Sequence, residues 1–306
     1  MLTPDQQASE VPFVSVIVPV YNDAERLKTC LEALETQTYP SDAYEVIAVD
    51  NNSDEGIEAI VEDYPHAVPE FERKQGSYAA RNRGLQRAKG DIFAFTDADC
   101  IPVGRWVEAG AQCLYSTDAD YVGGPVEIFV SDSEDPSPPG LFDALVSFRQ
   151  HDNLERKGFS ATANLFTTRD VMQSVGKFDD RLKGGGDREW GRRAAQNGFE
   201  ASFCKEAKVR HPARESISEL VQKAQRVATG RFKEEDFKRR SWVEVLLYVL
   251  NQLRPPIGLA HEIMKLACSK AKRVQVLWVC MVVRWARAAQ ILRLWLSSTS
   301  DSFLSP

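Results

Sequence analysis

The chain has 306 residues, 43% of them hydrophobic and 27% charged, which excludes a disordered chain and leaves room for one large core or for one domain with an accessory segment. The formal net charge of −6 is unevenly spread: residues 1–230 carry 25 basic and 38 acidic side chains, and 231–296 carry 13 and 5. An acidic body excludes general nucleic-acid binding, whereas the basic, Trp-containing last quarter suits an anionic surface.

Residues 1–10 are polar and lack the positive start and apolar stretch of a secretory signal, so a cytoplasmic protein is expected. Residues 13–20 form a β-branched run ending in Pro19-Val20-Tyr21-Asn22, and a helix with Leu27, Leu31 and Leu34 on one face follows Asp23. A second strand over 44–49 ends at Asp50-Asn51-Asn52-Ser53-Asp54 and leads to a helix carrying Ile57, Ile60 and Val61. After a weaker strand near Phe71, a helix is predicted over 76–89 and a strand over 91–96. Strand and helix units of this length predict an α/β fold, a mostly parallel sheet with helices on both faces.

Further along, a helix is predicted over 106–114, a strand over 121–130 interrupted by Gly123-Gly124-Pro125, and a surface loop over 131–140. A single helix over 142–155, a strand over 161–168 and a helix starting at 171–175 precede the turn Lys183-Gly184-Gly185-Gly186. A helix over 189–197 and strands over 201–203 and 208–211 close a domain by about residue 215. The remainder reads as helices, with Pro255-Pro256 breaking the one centred on 243–253. Its longest apolar run, 276–283, falls well short of the roughly 20 residues that span a bilayer. With Trp278, Trp285 and Trp295 among Arg284, Arg287 and Arg293, that segment reads either as a helix lying in a membrane interface or as one packed on the body or on a partner subunit. Six scattered cysteines without Cys-x-x-Cys spacing predict reduced thiols rather than a zinc site or a disulfide frame.

The chemistry concentrates at Asp97-Ala98-Asp99, which follows the apolar run Ile92-Phe93-Ala94-Phe95-Thr96. A strand there delivers two carboxylates to the rim of a sheet, where α/β proteins bind ligands. Taken alone such a pair is more often a solvated turn. Two neighbouring carboxylates repel unless a cation or a donor lies between them, and hard oxygen ligands suit Mg²⁺ or Mn²⁺ completed by substrate phosphates.

Together, residues 14–22, the strand end at Asp50, Ala80-Arg81-Asn82-Arg83-Gly84, Asp97-Ala98-Asp99 and Gly186-Asp187-Arg188-Glu189-Trp190 resemble the family 2 glycosyltransferases with the GT-A (Rossmann-like) fold. The resemblance runs to about His211 and implies a GT-A domain over 1–220 with a basic helical segment over 221–306. It further implies that Pro19, Tyr21 and Asp50 hold the nucleoside, that Arg81 bonds the base or a phosphate, that Asp97 faces the ribose, and that Asp99 ligates a divalent ion, Mn²⁺ or Mg²⁺. His211 resembles a further metal ligand. Many relatives read Asp-Asp where this chain has Asp50-Asn51, and Glu-Asp where it has Gly186-Asp187.

Asp187 resembles the base that takes the acceptor's proton, with Glu189 a second candidate; a lone base implies direct displacement with inversion. Asn164, Glu189 and Trp190 are assigned to the acceptor side. The expected reaction moves a sugar from a nucleotide diphosphate donor, UDP-linked, to a saccharide or lipid-linked saccharide, at the cytoplasmic membrane face with peripheral contact through the C-terminal helices; oligomeric state is left open. A non-catalytic GT-A module that binds nucleotide-sugar or a partner polysaccharide enzyme is the alternative. A haloacid-dehalogenase-like phosphatase also carries Asp-x-Asp, but on its first strand and with a hydroxyl residue two places on, whereas Cys100-Ile101-Pro102 follow a late strand here.

Overall fold

The order in which short β-branched and aromatic runs pair decides which loops share an edge of the sheet. The computed structural model describes residues 11–254 and 256–303; the readings of residues 1–10 and of Pro255 lie outside them. In chain order the elements are β1 (Val14–Val20), α1 (Ala24–Glu35), β2 (Tyr44–Asp50), α2 (Glu58–Val61), β3 (Ala67–Phe71), α3 (Ser77–Arg87) and β4 (Ile92–Thr96). There follow β5 (Ile101–Pro102), α4 (Trp106–Ser116), β6 (Tyr121–Gly123), β7 (Val126–Phe129), α5 (Pro138–Val146), α6 (Gln150–Lys157), β8 (Asn164–Thr168) and α7 (Arg169–Val175). The last are α8 (Gly186–Gln196), β9 (Ala201–Phe203), β10 (Val209–Pro212), α9 (Ile217–Glu234), α10 (Trp242–Leu253), α11 (Ile257–Met264) and α12 (Lys270–Phe303).

Contacts divide the chain into two units. The first comprises the described residues up to Val126, with Gln150–Phe178 and Trp190–Val209. It holds a seven-stranded sheet in the order β3-β2-β1-β4-β8-β6-β9. β1 pairs in parallel with β2 and β4, as do β2 with β3 and β6 with β9. β8 is the exception, antiparallel to both β4 and β6. The fold is thus the expected α/β type, a mostly parallel sheet with helices around it. β1, β2 and β4 are buried almost end to end, as strands of a parallel sheet are. Their parallel register puts Val20 opposite Asp50 and carries the end of β4 toward the same edge.

The second unit comprises Glu127–Arg149, Asp179–Glu189 and the described residues from Arg210. α5, α9, α11 and α12 meet around Phe142, Leu220, Ala224, Ile263, Val276, Val279, Cys280 and Val283. A second cluster joins Ala228, Phe237, Val245 and Ile291. Both α9 and α10 open with reciprocal caps, Ser216 with Glu219 and Ser241 with Glu244, each pair satisfying backbone donors at the helix start. Residue 220 falls within α9. Among the described residues no helix is long and apolar enough to cross a membrane.

Two expectations need correction. The single helix over 142–155 is two, α5 and α6, separated at Phe148, whose φ of 46° is left-handed. No glycine or proline marks that break. Nor are all the cysteines reduced: Cys113 and Cys204 form a disulfide, their Cα atoms 6.1 Å apart. They lie 91 residues apart in sequence, so only the pairing of α4 with the segment after β9 brings them together. Cys30, Cys100 and Cys280 are buried thiols, and Cys268 is half-buried.

Candidate active site

In the first unit the loops after β1 and β2 lock onto each other. Asn22, at φ 50°, donates its backbone N–H to Ser53 Oγ (2.9 Å), and its side chain exchanges bonds with Asp54. Asp50 is buried at the end of β2, its Oδ1 accepting the Ser53 N–H at 3.0 Å. The adjacent Asn51 does different work. Its amide nitrogen donates to the carbonyls of Glu72 and Lys74, and its oxygen accepts from Gly76 N–H. The amide therefore braces the loop leading into α3, and Asp50 is the carboxylate at this strand end. Pro19 is half-buried within β1, and Tyr21 is exposed just beyond it, its hydroxyl accepting from Gln75 Nε2 at 3.4 Å.

After β4 the chain turns tightly, Cys100 N–H bonding the Asp97 carbonyl at 3.0 Å. This turn gathers ligand atoms of Asp97, Asp99 and Cys100 within 4.8 Å of one another. Burial, reinforced by the charges of Asp97 and Asp99, pushes the Cys100 thiol well above its ordinary range. The two carboxylates are the donors that fit a hard divalent cation, whereas cysteine sulfur suits softer metals. Arg81 of α3 reaches the pair from the side. Its guanidinium is buried, ion-paired to Asp97 and held over the Tyr78 ring at 5.7 Å. Its Nε is buried without a hydrogen-bond partner among the described residues. An orphan cationic donor beside two carboxylates is costly unless a ligand acceptor completes it.

Two residues assigned above to the acceptor side are buried in bracing contacts. Asn164 is fully buried; its oxygen accepts from Trp106 Nε1 (2.9 Å), and its nitrogen donates to the carbonyls of Pro125 (3.0 Å) and Ala207 (2.7 Å). It ties α4, the end of β6 and the segment before β10 to β8. Trp190 is likewise buried, packed on Tyr121 and Phe178 with Nε1 bonded to the Gly176 carbonyl. The resemblance suggests a ligand contact for both, and each side chain is enclosed by protein here. Asn164→Ala is therefore expected to lower stability by about 3 kcal/mol, the result of leaving buried polar groups unpaired, while the folded fraction keeps its acceptor KM; denaturant melts alongside acceptor titrations check this.

The second unit carries Asp187, Glu189 and His211. Asp187 lies in the first turn of α8, its carboxylate accepting the Arg188 N–H at 3.0 Å. The helix begins at Gly186, before the 189 start expected, so Asp187 lies inside it. Gly185 has a φ of 82°, open to glycine at little cost, and Arg188 is ion-paired to Glu234 of α9. The backbone of Gly184 rests on Gly230, where a Cβ would meet the Gly184 carbonyl. Gly230→Ala is expected to destabilise by about 1–3 kcal/mol and to shift the Gly-rich turn, read as a lower melting temperature with a raised KM.

His211, on β10, is buried, with Nδ1 at 2.6 Å from the Pro212 carbonyl. A carbonyl oxygen only accepts, so this contact suits a ring proton on Nδ1. Sequence reasoning missed the supports around it. The Phe148 ring lies 5.0 Å from His211 and 5.5 Å from Lys223 Nζ, and Lys223 bonds Asp143 and Ser147. Burial and then the Arg214 charge lower Lys223 to about 8 against the pull of Asp143.

A mostly parallel sheet whose strand ends carry a buried Asp50 and an Asp-x-Asp pair, with a buried Arg81 of α3 ion-paired to Asp97, is the frame of a GT-A glycosyltransferase. The chain belongs to glycosyl transferase family 2, whose model matches residues 15–172. It is 35% identical over 301 residues to the glycosyltransferase AglE of Haloferax volcanii, covering 93% of this chain and 98% of that relative. Over 90 residues it is 40% identical to the uncharacterized glycosyltransferase YibD of Escherichia coli, covering 28% of this chain and 26% of the other. Among solved structures, the mannosyltransferase PcManGT from Pyrobaculum calidifontis, in complex with GDP-Man and Mn²⁺, shares the fold with a TM-score of 0.64 and 22% identity, covering 94% of this chain and 88% of that one.

Proposed function

We propose that this glycosyltransferase moves a sugar from a nucleotide diphosphate donor, UDP-linked, to a saccharide or lipid-linked saccharide, with inversion at the anomeric carbon. The observation that carries the reading is the orphan Nε of Arg81 beside the Asp97–Asp99 pair, a buried cation and two carboxylates that a metal-bound diphosphate would complete. Asp50, Pro19 and Tyr21 hold the nucleoside, Asp97 faces the ribose and orients Arg81, and Arg81 bonds the base or a phosphate. Asp99 and His211 would be the protein ligands of a divalent cation, Mn²⁺ or Mg²⁺, which would supply positive charge to the departing diphosphate.

Asp187 accepts the proton of the acceptor hydroxyl as its oxygen bonds the anomeric carbon. The bond from that carbon to the diphosphate breaks, and its electron pair leaves with the nucleoside diphosphate. Glu189 assists on the acceptor side. Residues 1–220 carry this chemistry, and residues 221–306 meet the cytoplasmic face of a membrane peripherally.

The test is a thermal shift of the full chain with Mn²⁺ and a set of nucleotide sugars. GDP-mannose, which the Pyrobaculum neighbour binds, is tried beside the UDP sugars. A donor that binds only the folded state raises the melting temperature, by about 2.7 kcal/mol of stabilisation at one hundred times its Kd. The expected result is a Mn²⁺-dependent shift with one donor and slow hydrolysis of that donor. No shift with any nucleotide sugar would overturn the reading.

A further inference from the structure

The second unit turns apolar side chains outward where a solvated helix would be polar. On α10, Trp242, Val243, Leu246, Leu247, Leu250 and Leu253 are all exposed, Trp242 by 65% and Leu247 by 60%. At 3.6 residues per turn these six fall within an arc of about 140°. The opposite face is the packed one: Val245 and Gln252 are buried, and Val245 joins the Phe237 and Ile291 cluster. Ile257, just beyond, is 85% exposed.

α12 repeats the arrangement. Val274, Trp278, Trp285, Leu292 and Leu296 form one exposed stripe, with Trp278 and Trp285 in edge contact at 5.5 Å, while Val276, Val279, Cys280 and Val283 face the core. The two helices pack antiparallel, Arg284 donating to the Asn251 and Gln252 carbonyls and Trp295 Nε1 to Arg240 O. Those bonds hold Arg284 against α10 and Trp295 against Arg240, the packed arrangement that is one of the two readings of this segment.

We infer that the outward faces of α10 and α12 form a docking surface for an anionic phospholipid bilayer, entering its headgroup layer without crossing it. The inference rests on the membrane contact proposed above and gives it a surface. Exposed apolar faces of this kind mark interaction sites, and the surrounding charge selects the occupant. Exposed Lys238, Arg239 and Arg254 bracket α10 and exposed Lys270 opens α12, within a region of 13 basic and 5 acidic residues. A bilayer carrying negative headgroups complements that rim. A second copy of the chain does not, since a two-fold interface through this face would oppose the same cations.

Flotation of the full chain with phosphatidylcholine vesicles, with and without phosphatidylglycerol, tests the surface. Binding to the anionic vesicles that weakens with salt is expected, falling more than about 10-fold in Leu247→Glu and in Trp242→Glu. Lys238→Glu with Arg254→Glu should remove the preference for phosphatidylglycerol, and Tyr115→Glu, an exposed change in the first unit, should leave binding intact. Melting curves and the donor-induced thermal shift are read on every variant, so that a failed transferase reading and a failed docking surface remain separate results. Absence of vesicle binding, or binding unchanged by Leu247→Glu and Trp242→Glu, overturns the inference. So does a concentration-dependent dimer that Leu247→Glu dissolves in place of vesicle binding.

Discussion

Asp187→Asn is expected to slow sugar transfer about 10²–10⁴-fold, the usual worth of a positioned general base, with the donor-induced thermal shift unchanged. The substitution keeps the size of the side chain and an oxygen able to accept the Arg188 N–H, so the turn before α8 retains its local bond while the proton acceptor is lost. A fall in kcat without loss of donor affinity separates chemistry from binding. Full activity in Asp187→Asn would move the role to Glu189, two residues on in the same helix, and Glu189→Gln is the paired measurement. Because water takes the acceptor's place when the donor is hydrolysed and loses its proton to the same base, slow hydrolysis should fall in the same variant.

The second large effect is expected at the carboxylate pair. Loss of Asp99 in Asp99→Ala should weaken Mn²⁺-dependent donor binding by more than about 100-fold, since removing even an outer-shell partner of a metal ligand costs 10–100-fold. A chelator should produce the same loss in the unaltered protein, and added Mn²⁺ should reverse it there but not in Asp99→Ala. Asp97→Ala is expected to behave differently. It leaves the buried Arg81 guanidinium without its ion-pair partner, so stability itself falls by about 2–3 kcal/mol, less than for a fully buried pair because Asp97 is partly exposed. Calorimetry with Mn²⁺ and donor, set beside denaturant melts, distinguishes a lost ligand from a weakened fold.

The strand ends were legible because β1, β2 and β4 are runs buried almost throughout that stop at polar clusters, and each stop marks a loop at the edge where the sheet meets ligands. Pairing was less legible. That β8 runs antiparallel between β4 and β6 depends on long-range register, which no local pattern states. Phe148 illustrates a second limit: a left-handed residue with a bulky side chain divides α5 from α6 without any local breaker.

Asn164 and Trp190 show a third limit. Their types suit sugar binding and core bracing equally, and only the observed partners, carbonyls and an indole for Asn164 and a carbonyl with aromatic rings for Trp190, reveal the bracing. In α10 the sequence shows which residues share a face but not which face is covered. The apolar stripe that periodicity would send to the core is the exposed one, because Val245 and Gln252 already occupy the packed side.

The distribution of sulfur gives this chain a ready-made spectroscopic handle. With Cys113 and Cys204 joined and Cys30, Cys100 and Cys280 enclosed, Cys268 is the accessible thiol among the described residues. A maleimide-linked fluorophore added without reductant should therefore enter at one position, in the short connection between α11 and α12. From there its emission can report the polarity around the start of the long helix without engineering any cysteine out.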